Sequence, residues 1–243
     1  MAWENLKYFI ECLRNLSISE SLNLKNGFCV STGCDSGFEN WVYSPDVIDD
    51  EDKLKVLEFF NKKNLPFAWP VKNNFKISGL FQPVKLAAMS YEPENKENKI
   101  YELDNNIKIE QVNNKSDSEI WGRLSWQGFG GNYDDVPKEY LNLSREYYKN
   151  ENYFKIFIAK FNNINAGTFL LNEDKNLNAN GIYYFAVIPE FRRCGVARNM
   201  MNYISGLKKL MLLQATPMGK LFYENYGFKY ISDMNIFSNT TDL

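Results

Sequence analysis

Residues 181–228 constrain the fold more than any other stretch of this sequence. An apolar run over 182–188 is typical of a buried strand, and Pro189 ends it. A basic turn that contains Gly195 follows, and an amphipathic helical pattern starts directly after it. The first N–H groups of a helix have no intrahelical acceptor, and the helix dipole adds partial positive charge. Strand, turn and helix together predict an anion-binding corner, where Arg192 and Arg193 favour a phosphate-bearing ligand.

The elements around this corner predict a mixed α/β or α+β layout. A second apolar strand over 210–215 leads to a short helix that carries Tyr223 and ends at Gly227. From residue 107 to residue 237, periodicity and turn residues predict the order β-α-α-β-β-β-α-β-α-β. Elements in this order are typical of a mixed sheet with flanking helices.

Composition limits the kinds of partner and the location. The chain has 243 residues, enough for one large domain or two domains of about 120 residues. Its 28 basic and 30 acidic residues leave a net charge of -2, which argues against nucleic acid as the main partner. No apolar run approaches the roughly 20 residues that span a bilayer, so we expect no membrane partner. The start of the chain resembles an amphipathic helix rather than a signal peptide, which favours the cytoplasm.

The sequence has no histidine, and this limits the chemistry. Catalysis by Ser-His-Asp or Cys-His groups is excluded. The four cysteines, Cys12, Cys29, Cys34 and Cys194, form no CxxC pair, so we expect reduced thiols and no metal. A general acid or base must then be a carboxylate, tyrosine, cysteine, lysine, a chain terminus or water.

The first hundred residues predict a separate α/β region. Helices are expected over 3–16 and after Asp49, the second with Leu54, Leu57, Phe59 and Phe60 on its apolar side. Strands are expected over 28–30, 41–43 and 84–91, with a short or edge strand over 65–71 because of its two prolines. Residues 92–106 have the composition of a linker, so we place a domain boundary near residue 103.

The second half resembles the GNAT N-acetyltransferase superfamily. The family's loop has the pattern Arg/Gln-x-x-Gly-x-Gly/Ala after its fourth strand, and Arg192-Arg193-Cys194-Gly195-Val196-Ala197 matches it. Downstream, Phe222-Tyr223-Glu224-Asn225-Tyr226-Gly227-Phe228 is similar to the family's last helix with its tyrosine and closing Gly-Phe. The loop pattern alone is weak, but its place between a strand and a helix and the spacing to Tyr223 make the resemblance specific.

The resemblance implies a GNAT fold, acetyl-CoA as cosubstrate and no metal. Amides from Arg193 to Ala197 would hold the pyrophosphate, the strand that ends at Ile188 would pair with pantetheine, and an N–H near Val187 would polarise the thioester carbonyl. Tyr223 occupies the position of the family's general acid, and its alternative role is that of a core tyrosine. The cofactor-binding residues implied in this way are Phe185, Ala186, Val187, Ile188, Arg192, Arg193, Cys194, Gly195, Val196, Ala197, Arg198 and Thr216. Thr216 stands where many relatives have an asparagine, and it is also a candidate helix cap.

The acceptor is expected to be an amine of a small molecule or a peptide. The strand over 183–187 lacks the glutamate that some relatives use as a base, so water, a backbone carbonyl, Asp134 or Asp135 are the alternatives, although solvated carboxylates are the more ordinary interpretation. Gly128, Gly130 and Gly131 predict a flexible loop that borders the acceptor pocket in GNAT relatives. Four aromatic residues lie in or near this loop, and they either pack in the core or form an aromatic acceptor site: Trp121, Trp126, Phe129 and Tyr133.

The resemblance also suggests a tandem arrangement. The segment 66–70, followed by a short helix and a strand over 84–89, is similar to the N-terminal halves of tandem GNAT proteins. We therefore expect residues 1–103 to form a degenerate GNAT-like domain and residues 104–243 the catalytic domain, with an unrelated α/β cap as the alternative.

A non-catalytic acyl-CoA-binding or sensing module is the rival function. Aminoacyl-tRNA-dependent transferases also pair two such domains, but the near-neutral charge and the intact loop argue against them. The sequence carries no signal for an oligomeric state.

Overall fold

The structure is a computed structural model, and it describes residues 1–46, 49–72, 76–93 and 104–241. The chain divides into two compact units. The N-terminal unit comprises Ala2–Met89, Gln214–Leu221 and Tyr230–Leu243, as far as these residues are described. The other, which we call the corner unit, comprises Met1, Ser90–Leu213 and Phe222–Lys229. The boundary expected near residue 103 falls within 94–103, outside the described residues.

The N-terminal unit begins with helix α1, Ala2–Leu13, and an antiparallel sheet of β1 (Glu20–Leu24), β2 (Gly27–Ser31) and β3 (Asn40–Tyr43). Helix α2, Asp50–Asn61, and strands β4, Trp69–Val71, and β5, Phe81–Tyr91, follow. The last strand of the chain, β11 (Lys229–Ser238), pairs antiparallel with β4. The core of this unit is formed by Cys29, Val42, Val56, Phe60, Phe67, Trp69, Val71, Ile77 and Phe237.

Three sequence predictions for this unit need correction. Strand β1 was not predicted, because it is largely exposed and has no buried alternation. Helix α2 buries Val56 and Phe60, whereas Leu54 is 66% exposed, so the predicted apolar side was partly wrong. The short helix expected after Pro70 is absent from the described residues 72 and 76–80, which form a bend and a turn. Asp49 does cap α2, where its carboxylate accepts from the N–H of Asp52 at 2.7 Å.

The corner unit contains a mixed sheet. Strand β6 (Ile107–Gln111) is followed by helices α3 (Lys115–Gly128) and α4 (Lys138–Lys149), and then by β7 (Phe154–Phe161), β8 (Ile164–Asp174) and β9 (Ala179–Val187). Helix α5 (Val196–Ser205), strand β10 (Leu210–Ala215) and helix α6 (Pro217–Tyr226) complete the order up to β11. The sheet order is β6-β7-β8-β9-β10, in which the last pair is parallel and the others are antiparallel. The order of elements predicted for 107–237 and the mixed α/β class are confirmed.

Local sequence explains the ends of several elements in the corner unit. Asn162 and Asn163, both at positive φ, form the two-residue turn between β7 and β8, as the asparagine-rich sequence predicted. Helix α3 is capped by Asn114, whose side chain accepts from the N–H of Asp117 at 2.8 Å.

Candidate functional site

The predicted anion corner is present at the N-terminus of α5. Strand β9 ends at Val187, a 3₁₀ turn covers Pro189–Phe191, and Gly195 is the N-cap residue of α5. Gly195 has φ 80°, and Arg193 has φ 66°. A Cβ at Gly195 would have its nearest neighbours at 3.9 Å, so the backbone conformation, rather than lack of space, requires glycine there.

The loop of this corner is supported by the side chain of Asn199, and its Cys194 N–H donates to the Phe191 carbonyl at 3.4 Å. Gly195 provides no side-chain cap, so the first N–H groups of α5 have neither an intrahelical acceptor nor a capping side chain. The buried Asn199 donates through Nδ2 to the carbonyl of Gly195 at 3.1 Å, and its Oδ1 accepts from the N–H of Asp104 at 3.0 Å. Asn199 therefore supports the loop through the carbonyl of Gly195 and takes no hydrogen bond from the first N–H groups of α5 in these contacts.

The three arginines of the corner differ in their surroundings. Arg192 donates through Nε to the carbonyl of Val187 and through Nη2 to the carbonyl of Gly128, each at 3.1 Å. Arg193 and Arg198 are exposed, as is Cys194, whose Sγ lies 3.7 Å from the Arg192 carbonyl oxygen.

The other predicted cofactor residues differ in burial. Ala186, Ile188 and Val196 are buried, Gly195 is exposed, and Phe185, Val187 and Ala197 are half-buried.

Strand β9 is interrupted by a β-bulge that the sequence did not predict. Thr168 of β8 pairs with Ala186 and Leu170 pairs with Tyr183, so Tyr184 and Phe185 together oppose a single residue. Tyr184 has φ 50°, and its hydroxyl lies 2.7 Å from that of Tyr147. A bulge leaves backbone polar groups outside the regular ladder. No glycine or asparagine occupies position 184, so a left-handed residue could not be predicted there from the sequence.

On the side that faces β10, strand β9 is paired only over its first three residues. Its parallel register with β10 runs from Ala179 and Leu210 to Gly181 and Leu212. On the β8 side, the pairing of β9 continues to Val187. The segment 182–187, which includes the bulge, therefore lies beyond the β10 register.

Tyr223 is buried against the bulged part of β9. Its ring centroid lies 5.8 Å from that of Phe185, 5.2 Å from that of Phe222 and 5.4 Å from that of Phe228. Burial raises the pKa of the Tyr223 phenol above its usual value near 10. The hydroxyl is therefore protonated at neutral pH and is a proton donor. The structure thus places the candidate acid beside the strand expected to bind the thioester.

Thr216 is the helix cap that the sequence offered as one of its two roles. Its Oγ1 accepts from the N–H of Gly219 at 3.3 Å, and Pro217 is the first residue of α6. Thr216 belongs to the N-terminal unit, whereas Tyr223 belongs to the corner unit.

The glycines after α3 form a helix cap rather than a flexible loop. The N–H of Gly131 donates to the carbonyl of Trp126, and the N–H of Gly130 donates to the carbonyl of Gln127, both at 3.0 Å. Gly130 has φ 104°, so the arrangement is a Schellman motif. A Cβ on Gly128 would lie 2.6 Å from the Cβ of Ala186, which shows how closely the end of α3 approaches β9.

The four aromatic candidates for the acceptor site separate into core and surface. Trp121 is buried and donates through Nε1 to the carbonyl of Phe169 at 3.3 Å, so it belongs to the core. Trp126 and Tyr133 are half-buried, and Phe129 is 58% exposed. The carboxylates of Asp134 and Asp135, proposed alternatives for a base, are exposed.

The described residues show neither a cluster of metal ligands nor a helix suited to a bilayer. Within the described ranges, no group of three or more His, Cys, Asp or Glu side chains is placed to hold a metal ion. None of the helices in the described part of the chain combines the length and apolar character needed to cross a bilayer.

Comparison with known proteins gives matches at the level of domain and fold. Residues 152–230 match the family model described as acetyltransferase (GNAT) domain. A GCN5-related N-acetyltransferase from Kribbella flavida superimposes with a TM-score of 0.67 at 11% identity, over 98% of this chain and 95% of that one. A functionally unknown conserved protein from Staphylococcus epidermidis gives 0.64 at 13% identity, over 95% and 98%. A GCN5-related N-acetyltransferase from Sphaerobacter thermophilus gives 0.52 at 9% identity, over 90% and 78%.

A search of curated protein sequences finds no match. The matched segment, 152–230, begins just before β7 and contains β9, the glycine corner, α5, β10 and α6. It therefore includes both the open amides of the corner and Tyr223. Residues 152–230 thus match a GNAT acetyltransferase domain, and the fold of the chain is similar to that of a GNAT N-acetyltransferase.

Proposed function

We propose that this protein transfers an acetyl group from acetyl-CoA to an amine of a small molecule or peptide by direct attack. One observation carries the proposal. The glycine-led N-terminus of α5 follows β9 after one 3₁₀ turn, and the buried Tyr223 packs on Phe185 of that same strand. An anion site and a proton donor thus lie at the two ends of one strand segment.

The corner suits the pyrophosphate of CoA. Backbone N–H groups from Arg193 to Ala197 would donate to the phosphate oxygens, with the helix dipole adding positive charge. The N–H of Cys194 would exchange its long 3.4 Å bond to the Phe191 carbonyl for one to a phosphate oxygen. The exposed side chains of Arg193 and Arg198 supply charge beside the loop. Cys194 contributes its backbone, and no catalytic role is assigned to its thiol.

The bulged segment of β9 suits the pantetheine arm and the thioester. Pairing with Phe185, Ala186 and Ile188 would extend the arm along the strand as an added partner. An N–H near Val187 would donate to the thioester oxygen, where negative charge develops as the amine attacks. Thr216 takes the place of a CoA-contacting asparagine by resemblance alone, because its hydroxyl is used as a helix cap.

Tyr223 supplies the proton for the leaving group. The amine nitrogen attacks the carbonyl carbon, the N–C bond forms, and the C–S bond breaks. The CoA sulfur leaves as a thiolate and takes the proton of the Tyr223 hydroxyl, which the raised pKa keeps available. The proton lost from the attacking nitrogen passes to water, to a backbone carbonyl or to one of the exposed carboxylates, Asp134 and Asp135. Water then returns a proton to the Tyr223 phenolate, whose raised pKa favours its reprotonation.

We also propose a tandem organisation, with residues 104–243 as the catalytic domain and residues 1–103 as a degenerate GNAT-like domain. The superpositions with the Kribbella flavida and Staphylococcus epidermidis proteins cover nearly the whole of this chain and of those chains, so the N-terminal as well as the C-terminal residues have structural counterparts there. An unrelated α/β cap is the alternative organisation.

A non-catalytic acyl-CoA-binding module is the second candidate function. Strand β9 favours it in one respect, because residues 183–187 carry no glutamate that could serve as a base. Both functions require the same cofactor corner, so only turnover separates them.

A thiol-release assay with acetyl-CoA and a panel of small-molecule and peptide amines tests the proposal. Release of CoA that depends on both the amine and the enzyme supports transfer, and mass spectrometry should show the acetylated amine. Acetyl-CoA binding without release across the whole panel would instead support the binding module. If acetyl-CoA does not bind, both functions fail.

A further inference from the structure

The side chain of Arg192 makes contacts that the loop pattern does not predict. It was expected to add charge for the cofactor phosphates, yet its guanidinium donates to two backbone carbonyls, those of Val187 and Gly128. The first acceptor is the end of β9, and the second is the last residue of α3. One side chain of the glycine loop thus joins two other elements of the corner unit.

The contact between these two elements allows little adjustment. Gly128 and Ala186 approach so closely that a Cβ on Gly128 would lie 2.6 Å from that of Ala186. Beside this contact, Arg192 spans from Val187 to Gly128 with bonds of 3.1 Å. The planar guanidinium presents its donors in a fixed fork, so two separate carbonyls are held at a set spacing. A lysine ammonium on a flexible chain does not reproduce that geometry.

We propose that Arg192 is a positioning residue that fastens the end of α3 to the end of β9, and so links the pyrophosphate loop to the acceptor side. The proposal rests on the proposed function, because it takes 193–197 as the cofactor loop and β9 as the thioester strand. It removes Arg192 from the phosphate ligands and leaves Arg193 and Arg198 in that role.

This link has a consequence for the acceptor. Phe129 follows Gly128 directly and is exposed at the end of α3. The Schellman motif that ends α3 fixes the residues that follow. Arg192 therefore sets where the exposed ring of Phe129 lies with respect to β9, without touching the acceptor itself.

The test uses a matched set of four variants: Arg192→Lys, Arg192→Gln, Arg193→Lys and Arg193→Gln. Hydrogen exchange of the unliganded protein reports on residues 125–131, and calorimetry reports the dissociation constant of acetyl-CoA. Both Arg192 variants should speed exchange in 125–131 by about fivefold or more, because both lose the fork, whereas the Arg193 variants should leave it unchanged. Acetyl-CoA affinity should be similar in Arg192→Lys and Arg192→Gln, but several-fold weaker in Arg193→Gln than in Arg193→Lys.

A role as phosphate ligand predicts the reverse. Wild-type exchange in Arg192→Lys, together with weaker binding only in Arg192→Gln, would overturn the proposal. Denaturation midpoints identify any variant that unfolds globally, and exchange outside 125–131 is the internal reference. If the wild-type protein does not bind acetyl-CoA, the proposed function fails, while the exchange of unliganded 125–131 still decides whether Arg192 fastens α3.

Discussion

Two glycine loops in this molecule each contain a glycine with the same positive φ, but their polar groups have different hydrogen-bond partners. One follows β2 in the N-terminal unit and contains Gly33, and the other follows β9 in the corner unit and contains Gly195. Both glycines have φ 80°, and an added Cβ at either would have no neighbour closer than 3.9 Å. The conformational requirement for glycine is therefore the same in the two loops.

The N-terminal loop is closed by a side chain of the protein itself. The buried Asn40 makes five hydrogen bonds, accepting from Ser31 Oγ and the N–H of Thr32 and donating to the carbonyls of Cys34, Ser36 and Pro66. In the corner loop, Asn199 binds the Gly195 carbonyl from behind, and no side chain caps α5. A glycine turn therefore indicates a ligand site only when its amides remain available, as in the second loop.

The largest expected effect on stability is at the closed loop. Asn40→Ala leaves several buried donors and acceptors unsatisfied, so the free energy of unfolding should fall by about 2–4 kcal/mol. Asn239→Ala is the control, because the Asn239 side chain makes two bonds rather than five, donating to the Leu65 carbonyl at 3.1 Å and accepting from Ser238 Oγ at 3.5 Å, and should cost about 1 kcal/mol or less. Urea denaturation measures both. Similar losses would show that Asn40 does not hold the loop.

At the open loop, the next effect is on catalysis. Tyr223→Phe should lower the acetyl-transfer rate by roughly 10- to 100-fold, because it removes the proton donor and keeps the ring packed on Phe185. The acetyl-CoA dissociation constant should change by less than about threefold, since the phenol is not a phosphate ligand. Tyr226→Phe, which removes a hydroxyl bonded to Asn202, is the control and should leave the rate near that of wild type. An unchanged rate in Tyr223→Phe would remove the assigned acid.

Asn199→Ala and Asn40→Ala should differ both in stability and in acetyl-CoA affinity. Asn199→Ala should cost about 1–2 kcal/mol of unfolding free energy, which is less than Asn40→Ala because fewer bonds are lost. It should also weaken acetyl-CoA binding severalfold, since the loop loses its support, whereas Asn40→Ala should leave the affinity of the folded protein unchanged. Calorimetry on both variants checks this. If acetyl-CoA bound more weakly to Asn40→Ala but not to Asn199→Ala, the loop with Gly33, and not the loop with Gly195, would be the cofactor loop.

The smallest expected effect concerns pH. Because burial raises the pKa of Tyr223, its protonated form persists to higher pH than that of an exposed tyrosine, which ionises near 10. The maximal rate should therefore show no loss from Tyr223 ionisation between about pH 7 and pH 10. Rate profiles of wild type and Tyr223→Phe provide the measurement. A falling limb below pH 9 that disappears in Tyr223→Phe would contradict the raised pKa.

The sequence predicted the corner unit well because its signals are local. Proline after β9, glycine before α5 and paired asparagines in the β7–β8 turn each act on their own neighbours, and the order of elements followed from them. The bulge at Tyr184 could not be predicted, because a tyrosine with positive φ is imposed by tertiary packing. The bonds of Arg192 to Val187 and Gly128 also depend on the folded structure, because Gly128 lies 64 residues away in the chain.

Acetyl-CoA titration of wild type, Gly195→Glu and Gly33→Glu decides whether the glycine loop before α5 binds the cofactor. Both substitutions place a side chain on a glycine with φ 80° and open space around it, so the backbone strain is matched. We predict one acetyl-CoA site per chain in wild type and in Gly33→Glu, and at least about a 100-fold loss of affinity in Gly195→Glu, where a carboxylate enters the anion corner. Wild-type affinity in Gly195→Glu, or equal losses in both variants, would contradict the assignment of the open loop as the cofactor site.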